Sequence, residues 1–353
     1  MKYFKMLHVA IAAIFIIVGN QTYADSASCD ECGSSYTCAP TCESSCCAPS
    51  CWGRGFISAG ILYLRPEQGG FAGGCIPHEI NNYISSSGDV FGKIKGESKD
   101  PHFRWDPGFR IGTGYEFGRQ SWDIAAFWTH FHSHLHENEH HDDFHWKLDF
   151  DVVDVVIGRN ICFNSFNIRP FIGVRGAEIN QKVKSNSSIA YKTFFTSGSS
   201  SSFSSSDYSS GSYDSSSDLA ITDFFYAKEN NKEKFKGVGP LLGLEAGWDL
   251  GCGFGVFACV SVSTLYGHYN IKFHGSDSFL NGSNSCYKKS HLHSCQFVTD
   301  AYLGVNWEQC FCNKWTVFFE LAFEQHRYFN HNRLGDYGDL CLDGVSLSAG
   351  ISF

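Results

Sequence analysis

Histidine occurs at every second position in one segment near the middle of the chain. Six imidazoles lie in or just after it, at His130, His132, His134, His136, His140 and His141. Alternate side chains of an extended strand point to the same face, so the first four imidazoles would share one face. Imidazoles with nearby carboxylates suit Zn, Cu or Ni, and metal loading would fall as the imidazoles protonate. The preferred interpretation is nevertheless a solvated extracellular loop without metal, because the fixed ligand spacing of a zinc finger or zinc enzyme is missing.

Charged residues occur inside segments that otherwise alternate apolar with small or polar residues. In a membrane-spanning strand, an Arg or Lys facing lipid at mid-depth would cost about 2–4 kcal/mol, so such charges must face water or one another. Asp149 and Asp151 share one face of their segment and Asp154 lies on the other, which would require a bulge or a break in membrane depth. The candidate lining residues of a polar interior are Arg110, Glu116, Asp149, Asp151, Arg169, Arg175, Glu245, Asp249, Asp300, Glu320 and Glu324.

Cysteine is concentrated in a short head that precedes position 55. Seven of the chain's 16 cysteines lie there: Cys29, Cys32, Cys38, Cys42, Cys46, Cys47 and Cys51. Seven is an odd number, so at least one must pair outside the head or stay free. We expect disulfide cross-links within the head and to neighbouring proteins of an oxidising compartment. Metal binding by Cys29 and Cys32 and a self-contained disulfide knob are the alternatives, and Cys286 and Cys295 could form a local bridge elsewhere.

The elements that would position these residues are β-strands. From position 56 onward, period-two alternation extends over segments of about ten residues, the length that crosses a bilayer at a tilt. On 315–323, for example, Trp315, Val317 and Phe319 share one face and Glu320 lies on the other. Ten strands are predicted, at 56–65, 108–117, 121–132, 146–159, 166–180, 238–250, 254–270, 296–307, 314–326 and 342–353.

The predicted connections alternate in length along the chain. Long polar stretches follow the odd-numbered strands and short turns follow the even-numbered ones, which places both ends of the barrel on the side of the short turns. This alternation is typical of an all-β fold, the transmembrane antiparallel up-and-down β-barrel with short periplasmic turns and long extracellular loops. A soluble β-sandwich is the alternative, but it would not need the alternation. Residues 66–107 and 181–237 could each contain a hairpin, which would give twelve or more strands.

The chain divides into three predicted parts. Residues 1–24 carry two lysines, an apolar run and a small final residue, as a signal peptide does, and the run is too short for a membrane helix. Residues 25–54 would be a Cys-rich periplasmic head. Residues 55–353 would be the barrel, with a Ser-rich extracellular loop at 185–218. The last strand alternates as far as Phe353, a terminal form that bacterial barrel-assembly machinery typically recognises.

Several segments of the predicted barrel resemble, in order, the Legionella-type and chlamydia-like major outer membrane proteins. They are WDPGFRIGTGY at 105–115, the segments 122–133 and 149–160, RPFIGVRGA at 169–177, GVGP at 237–240, LYG at 265–267 and the segment 335–353. The resemblance implies a pore-forming barrel in the bacterial outer membrane. It also favours the cross-linked head, since chlamydial outer membranes are similar in relying on disulfide-linked, Cys-rich proteins.

The sequence is compatible with two functions. The first is a porin-like barrel through which small solutes or ions diffuse. The second is a structural or adhesive barrel with a closed lumen, disulfide-linked into the envelope, because the interior of a ten-stranded barrel is narrow enough for side chains to fill. We expect no enzyme, since a Ser elbow, a P-loop and an HExxH motif are missing. The expected partners are the lipid bilayer of the outer membrane, envelope proteins or further copies of the chain, and small solutes, with no cofactor and no nucleic acid.

Overall fold

A computed structural model describes most of the chain from Gly53 to Phe353. The described residues are 53–69, 76–84, 90–97, 102–117, 121–139, 142–163, 165–195, 219–279, 282–311, 315–334 and 338–353. The predicted signal peptide and nearly all of the predicted head therefore lie outside them. Within these ranges, no helix is long and apolar enough to cross a membrane.

The described ranges form thirteen β-strands, as expected for a chain with Val, Ile, Phe and Tyr at alternating positions. They are β1 (Arg54–Gln68), β2 (Ile76–Ile84), β3 (Val90–Glu97), β4 (Asp106–Phe117), β5 (Trp122–Glu139), β6 (Asp142–Arg159), β7 (Ile161–Phe163), β8 (Phe166–Phe195), β9 (Leu219–Gly251), β10 (Phe254–Phe279), β11 (Gly282–Phe311), β12 (Trp315–Asn332) and β13 (Gly338–Ser352).

Ten of these strands form one closed antiparallel barrel. The order around it is β6-β5-β4-β1-β13-β12-β11-β10-β9-β8, and pairing of β6 with β8 closes the sheet. The first and last strands lie side by side, with Phe56 opposite Ser352 and Gln68 opposite Leu340. The short β7 pairs with the start of β8, and β2 pairs with β3 in a separate two-stranded sheet. The predicted ten-stranded barrel is confirmed, and the hairpin within 66–107 adds no strand to it.

The two faces of the barrel wall differ as the alternation predicts. On β12, Phe319, Leu321 and Phe323 point outward and are exposed, while Glu324 points inward and is fully buried. Apolar side chains of this kind surround the barrel and form its lipid-facing belt. The belt includes Ile57, Ile61, Ile111, Ile172, Val174, Leu242, Leu244, Val260, Leu303, Val305 and Leu347. An exposed apolar surface this continuous is stable only against hydrocarbon.

The start of the first barrel strand and the end of the last one lie at the same end of the barrel, the end with the short turns. Gly55 and Phe353 exchange two backbone hydrogen bonds of 2.9 Å there. The turn between β9 and β10 places Gly251, Cys252 and Gly253 at positive φ, and Ser121 before β5 has a φ of 53°. Positive φ is tolerated best by glycine and lets the chain reverse within few residues. The chain therefore enters and leaves the barrel on the predicted periplasmic side.

Four neighbouring strands extend far beyond the apolar belt. β8, β9, β10 and β11 contain 30, 33, 26 and 30 residues, about twice the predicted lengths. The structure thereby corrects the predicted Ser-rich loop at 185–218. Residues 185–195 belong to β8 and pair with 219–229 of β9. Residues 219–226 are rich in β-branched and aromatic residues, which favour strands. The high serine content of the neighbouring segment led to the prediction of a loop instead. Residues 196–218 lie outside the described residues.

Candidate functional site

A network of charged side chains crosses the middle of the barrel interior. On one side, Arg110 of β4 donates to Glu324 of β12 at 2.9 Å and to Thr129 at 3.0 Å. Glu324 Oε2 lies 3.6 Å from His326 Nε2, and His326 Nδ1 lies 2.7 Å from Asp300 Oδ1. We call Arg110, Asp154, Arg175, Asp300, Glu324 and His326 the cross-barrel network.

The other half of the network is centred on Arg175 of β8. Its guanidinium donates to Asp300 of β11 at 2.5 Å and to both carboxylate oxygens of Asp154 of β6 at 2.7 and 2.8 Å. Ser261 of β10 also donates to Asp300, at 2.8 Å. Charge-assisted bonds of this kind are about twice as strong as neutral ones. Side chains from β4, β6, β8, β10, β11 and β12 therefore meet across the interior.

Burial shows how completely these side chains occupy the interior. The side chains of Asp300 and Glu324 are 0% exposed, that of Arg175 is 4% and that of His326 is 6% exposed. Removing charges from water is costly unless opposite charges and hydrogen bonds compensate for it. The network supplies both, so the charges act here as interior packing.

An apolar layer lies above the network, on the side of the long strands. Phe150 packs edge-on against Tyr328 with ring centroids 5.6 Å apart, and Phe235 lies 4.6 Å from Tyr269. These inward residues are as buried as the core of a soluble protein, and we call them the apolar plug. The plug consists of Leu62, Leu64, Phe131, Leu135, Trp146, Leu148, Phe150, Val152, Ala177, Ile179, Val183, Phe235, Leu265, Tyr269, Val298, Tyr328, Leu340 and Leu342.

Below the network, on the periplasmic side, the interior contains a group of acidic side chains that we call the acidic vestibule. Arg169 donates to Asp123 Oδ2 at 2.8 Å and to Glu245 Oε2 at 3.2 Å. The Glu245 side chain is 39% exposed, so water reaches this level. The other inward acids at this end are Glu116, Asp249, Glu308 and Glu320.

The structure places nine of the eleven candidate lining residues inside the barrel. Arg110, Arg175, Asp300 and Glu324 lie in the cross-barrel network. The vestibule contains the other five: Glu116, Arg169, Glu245, Asp249 and Glu320.

Asp149 and Asp151 correct the predicted lining, because both lie on the outer face of β6. Their neighbours Leu148, Phe150 and Val152 point inward and are buried. Asp154 also points inward, as its parity with Val152 requires, and it binds Arg175. No bulge interrupts the β6 ladders with β5 and β8 between these aspartates. Asp149 and Asp151 can face outward because they lie beyond the lipid-facing belt, at a level of the barrel that is in water, whereas Asp154 lies deeper and faces the interior.

The sequence analysis missed several interior residues. His326 follows Glu324 at period two and faces the same way, so one more step of the alternation would have found it. Asp123, the second residue of β5, binds Arg169; it lies within the predicted strand 121–132 but was not included in the predicted lining. The inward Tyr302 ring packs against Arg110, whose Cζ lies 5.4 Å from the ring centroid.

The predicted histidine stripe lies on the outer wall beyond the belt. His130, His132, His134 and His136 all point outward from β5, whereas His140 and His141 lie outside the described residues. His130 Nδ1 is 2.8 Å from Asp151 Oδ1, and His132 Nδ1 is 2.7 Å from Asp149 Oδ1. The two aspartates removed from the lining are thus partners of the histidines.

One group on this wall has the composition of a metal site. His136 of β5 stacks on His145 of β6, with ring centroids 4.0 Å apart. Asp143 Oδ1 lies 3.4 Å from His136 Nδ1 and 3.0 Å from His145 Nε2. One ligand atom from each of the three lies within 4.8 Å of the others. Asp143 Oδ1 is buried without a hydrogen-bond partner among the described residues, although two imidazole nitrogens face it.

The cysteines of the described residues are partly disulfide-bonded and partly free. The seven cysteines of the predicted head lie outside the described residues. Cys252 and Cys310, at the periplasmic turns, are disulfide-bonded. Cys286 and Cys295 are free and exposed. The proposed local bridge between them is wrong, because nine residues of one extended strand separate them by about 30 Å.

The comparisons with known proteins agree with this architecture. The family model described as "Legionella pneumophila major outer membrane protein precursor" matches residues 45–345. No curated protein matches the chain. Among solved structures, the outer membrane protease OmpT of Escherichia coli is 11% identical, covers 85% of this chain and 96% of its own, and has a TM-score of 0.37.

Two other barrels are similar at the same low level. The attachment invasion locus protein Ail of Yersinia pestis is 11% identical with a TM-score of 0.24, and covers 86% of this chain and 99% of its own. The toluene transporter TodX of P. putida is 6% identical with a TM-score of 0.28, and covers 86% and 90%. The TM-scores are all below 0.5, so the barrel rests on the strand pairing of this chain itself. The family match spans most of the chain, which therefore belongs to the Legionella pneumophila major outer membrane protein family and is a β-barrel of the bacterial outer membrane.

Proposed function

We propose that this protein is a structural or adhesive barrel with a closed lumen, rather than a diffusion pore. The observation that carries the proposal is the filling of the interior by buried side chains at two successive levels, with Arg110 and Asp154 of the network still 17% exposed. At the cross-barrel network, Asp300 and Glu324 are 0% exposed. In the apolar plug, Leu62, Phe131 and Tyr269 are also 0% exposed. A solute would have to displace both layers.

The width of the barrel supports the same conclusion. Barrel diameter grows roughly in proportion to strand number, and eight-stranded barrels are filled by their own side chains, so a ten-stranded barrel is still narrow enough for large side chains to fill. Residues three strands apart touch across the interior, since Arg175 of β8 bonds Asp300 of β11 past β9 and β10. The acidic vestibule is then a recess on the periplasmic side. Neither role requires catalysis.

Single-channel conductance of the refolded full chain in planar bilayers tests this proposal. Heat-modifiable migration on a gel should first establish that the barrel is folded. We expect no discrete current steps, with or without reductant, and no swelling of liposomes in small sugars. Discrete steps from folded protein would overturn the closed lumen and restore the porin that the sequence favoured, with a cation preference if the acidic vestibule lines its path.

We also propose that the seven head cysteines link the barrel to other envelope proteins or to further copies of the chain. The chain enters the barrel on the periplasmic side, where such partners would lie. An odd number of cysteines leaves at least one without a partner in the head. On non-reducing gels of thiol-blocked membranes we expect high-mass species that collapse on reduction. Their persistence after all seven cysteines are replaced by serine would contradict the linkage.

A second candidate function is binding of a divalent metal at His136, Asp143 and His145. Two imidazoles and a carboxylate are a ligand set that Zn²⁺ accepts, with a fourth position open to water. The unpartnered Asp143 Oδ1 between two ring nitrogens is the observation that favours it. Metal here would join β5 to β6 close to their connecting turn.

Calorimetric titration of the refolded barrel with Zn²⁺, and visible absorption with Co²⁺, test the metal site. His136→Ala and His145→Ala should each weaken Zn²⁺ binding by about tenfold or more and reduce the Co²⁺ bands. His130→Ala is the matched control, because its imidazole already pairs with Asp151 on the same face. Equal losses in the control would show diffuse binding by the histidine-rich wall and would contradict a defined site.

A further inference from the structure

Five lysines form a row across the outer wall of the long strands. Lys147 of β6 lies opposite Lys182 of β8, which lies opposite Lys232 of β9. Lys232 lies opposite Lys272 of β10, which in turn lies opposite Lys289 of β11. All five point outward and are exposed or half-buried. Since adjacent strands are about 4.8 Å apart, the row spans about 20 Å.

The charges of this lysine row are poorly compensated. Lys147 lies 3.7 Å from Asp149, and among the described residues no ion pair involves Lys182, Lys232, Lys272 or Lys289. Burial, Lys184, Lys232 and Lys147 together lower the pKa of Lys182. Like charges directly opposite each other in a sheet are destabilising. A row of this kind is therefore arranged for an external anion.

Two nearby lysines provide a contrast on the same wall. Lys234 and Lys236 of β9 lie next to the row and point outward as well. Their Nζ atoms are 2.6 and 2.8 Å from the two carboxylate oxygens of Glu178. Close to the belt, one carboxylate thus compensates part of the charge of two lysines, whereas farther out only Lys147 of the row has a carboxylate partner.

An apolar groove lies below the row, on the strands that carry it. It is lined by outward residues that include Ile172, Val174, Leu242, Val262 and Phe297. The groove follows an interruption of the sheet, because Pro240 has no N–H and the β9–β10 pairing skips from Leu241 to Val238. An acyl chain fits a recess in the lipid-facing belt.

We propose that the lysine row binds the anionic saccharide headgroup of a phosphorylated glycolipid whose acyl chain occupies the groove. The height of the row favours this class of lipid. On β9 the belt ends at Val238, and Lys232 lies six residues farther, about 20 Å along the strand. The phosphate of a simple phospholipid would lie close to the end of the belt, whereas a saccharide headgroup extends its phosphates outward.

The test compares a row variant with a matched control in two surroundings. Lys182→Gln with Lys232→Gln removes two row charges, and Lys234→Gln removes a lysine that is paired with Glu178 outside the row. In zwitterionic micelles, the row variant should unfold at a higher urea concentration than the parent, because repulsion is relieved. In phosphatidylcholine vesicles that contain truncated lipopolysaccharide, it should lose the stabilisation that the parent gains.

Affinity for fluorescent truncated lipopolysaccharide should fall by about tenfold or more in the row variant, since each lysine near an anionic surface contributes to binding. It should change by less than about twofold in Lys234→Gln. The same sign of the stability change in both surroundings, or equal binding of dephosphorylated glycolipid, would overturn the proposal. Equal protection by inorganic phosphate or heparin in micelles would overturn the lipid source in favour of a soluble polyanion. Heat-modifiable migration confirms that each variant is folded.

Discussion

Charged side chains are arranged differently on the inner and outer faces of the barrel wall. Inside, Arg175 lies between Asp154 and Asp300, and Arg110 pairs with Glu324, so each cation meets a carboxylate. Outside, the lysine row places like charges opposite one another. A buried charge must be compensated within the chain, because nothing else reaches it. An outward charge can instead be compensated by water, ions or a bound molecule. The difference indicates that interior charges serve folding and outer charges serve binding.

Loss of an interior carboxylate should have the largest effect on stability. Asp300→Asn would leave Arg175 and His326 without the carboxylate that both contact. Removing one partner of a buried ion pair costs about 3–5 kcal/mol. Urea unfolding in micelles measures the loss. Glu67→Gln, at the exposed pair with Arg65, is the control and should change stability little. A similar loss in both variants would break the contrast between the two faces.

Apolar side chains should show the same contrast. Phe150→Ala removes an inward ring of the apolar plug and leaves a cavity beside Tyr328, at a cost of about 3–4 kcal/mol. Phe319→Ala shortens an outward residue of the lipid-facing belt, where acyl chains refill the space. The measurement compares the loss of unfolding free energy that each substitution causes, relative to the parent, in the same vesicles. Equal costs would mean that the plug is loosely packed, which would also weaken the proposal of a closed lumen.

Glu233 tests the rule of interior compensation at the extracellular end. This inward carboxyl lies beyond the belt and is fully buried, and it accepts a 2.8 Å hydrogen bond from the backbone N–H of Arg333. Burial raises its pKa from 4.5 to about 8, against the opposing effect of Arg333. The proton-linked stabilisation is therefore complete below the unfolded pKa and is lost as the pH rises through about 8.

The urea midpoint of the parent relative to that of Glu233→Gln should accordingly fall between about pH 5 and about pH 9, because the buried histidines His326 and His331 are present in both chains. Glu233→Gln should remove most of this dependence and be more stable than the parent at the alkaline end. Glu229→Gln, on the same strand and face, is a control for the loss of a carboxylate. Identical pH profiles of the parent and Glu233→Gln would mean that this carboxyl reaches water.

The smallest effect is expected at the outward aspartates. Asp149→Asn weakens the pair with His132, whose side chain is 41% exposed, and exposed pairs contribute less than about 1 kcal/mol. Unfolding free energy and planar-bilayer current should both stay close to those of the parent. A large loss of stability, or the appearance of current, would return Asp149 to the interior where the sequence analysis had placed it.

Alternation predicted most of the barrel because it depends only on neighbouring residues. The ten strands, the shared face of Glu320 and Glu324 and the shared face of the four histidines His130, His132, His134 and His136 all follow from period two. The same rule failed for Asp149 and Asp151, because parity gives two faces without stating which is inside. Where the belt ends, outward positions become polar as well. Asp154 was the informative residue, since its inward partner Arg175 identifies the interior face of β6.

Register and strand length could not be predicted in the same way. The lysines of the row are far apart in the chain, and they become neighbours only through the pairing of five strands. The extracellular halves of β8 to β11 could not be predicted from apolar alternation. Strands outside a membrane need no apolar face toward lipid, so these segments are polar on both faces. The cross-barrel network is likewise invisible in sequence, because Arg175 and Asp300 are 125 positions apart.

The unequal strand lengths leave one ladder incomplete. Among the described residues, β11 pairs with β12 only from Val298 onward, so 282–297 present a free hydrogen-bonding edge toward that side. The Gln296 side chain donates to the Phe329 carbonyl at 2.6 Å where the ladder stops. Free edges invite strand addition by another chain, and lysines on the edge oppose it. Lys288 and Lys289 lie on this edge. The same cations should therefore discourage fibre-like association of barrels crowded in one membrane.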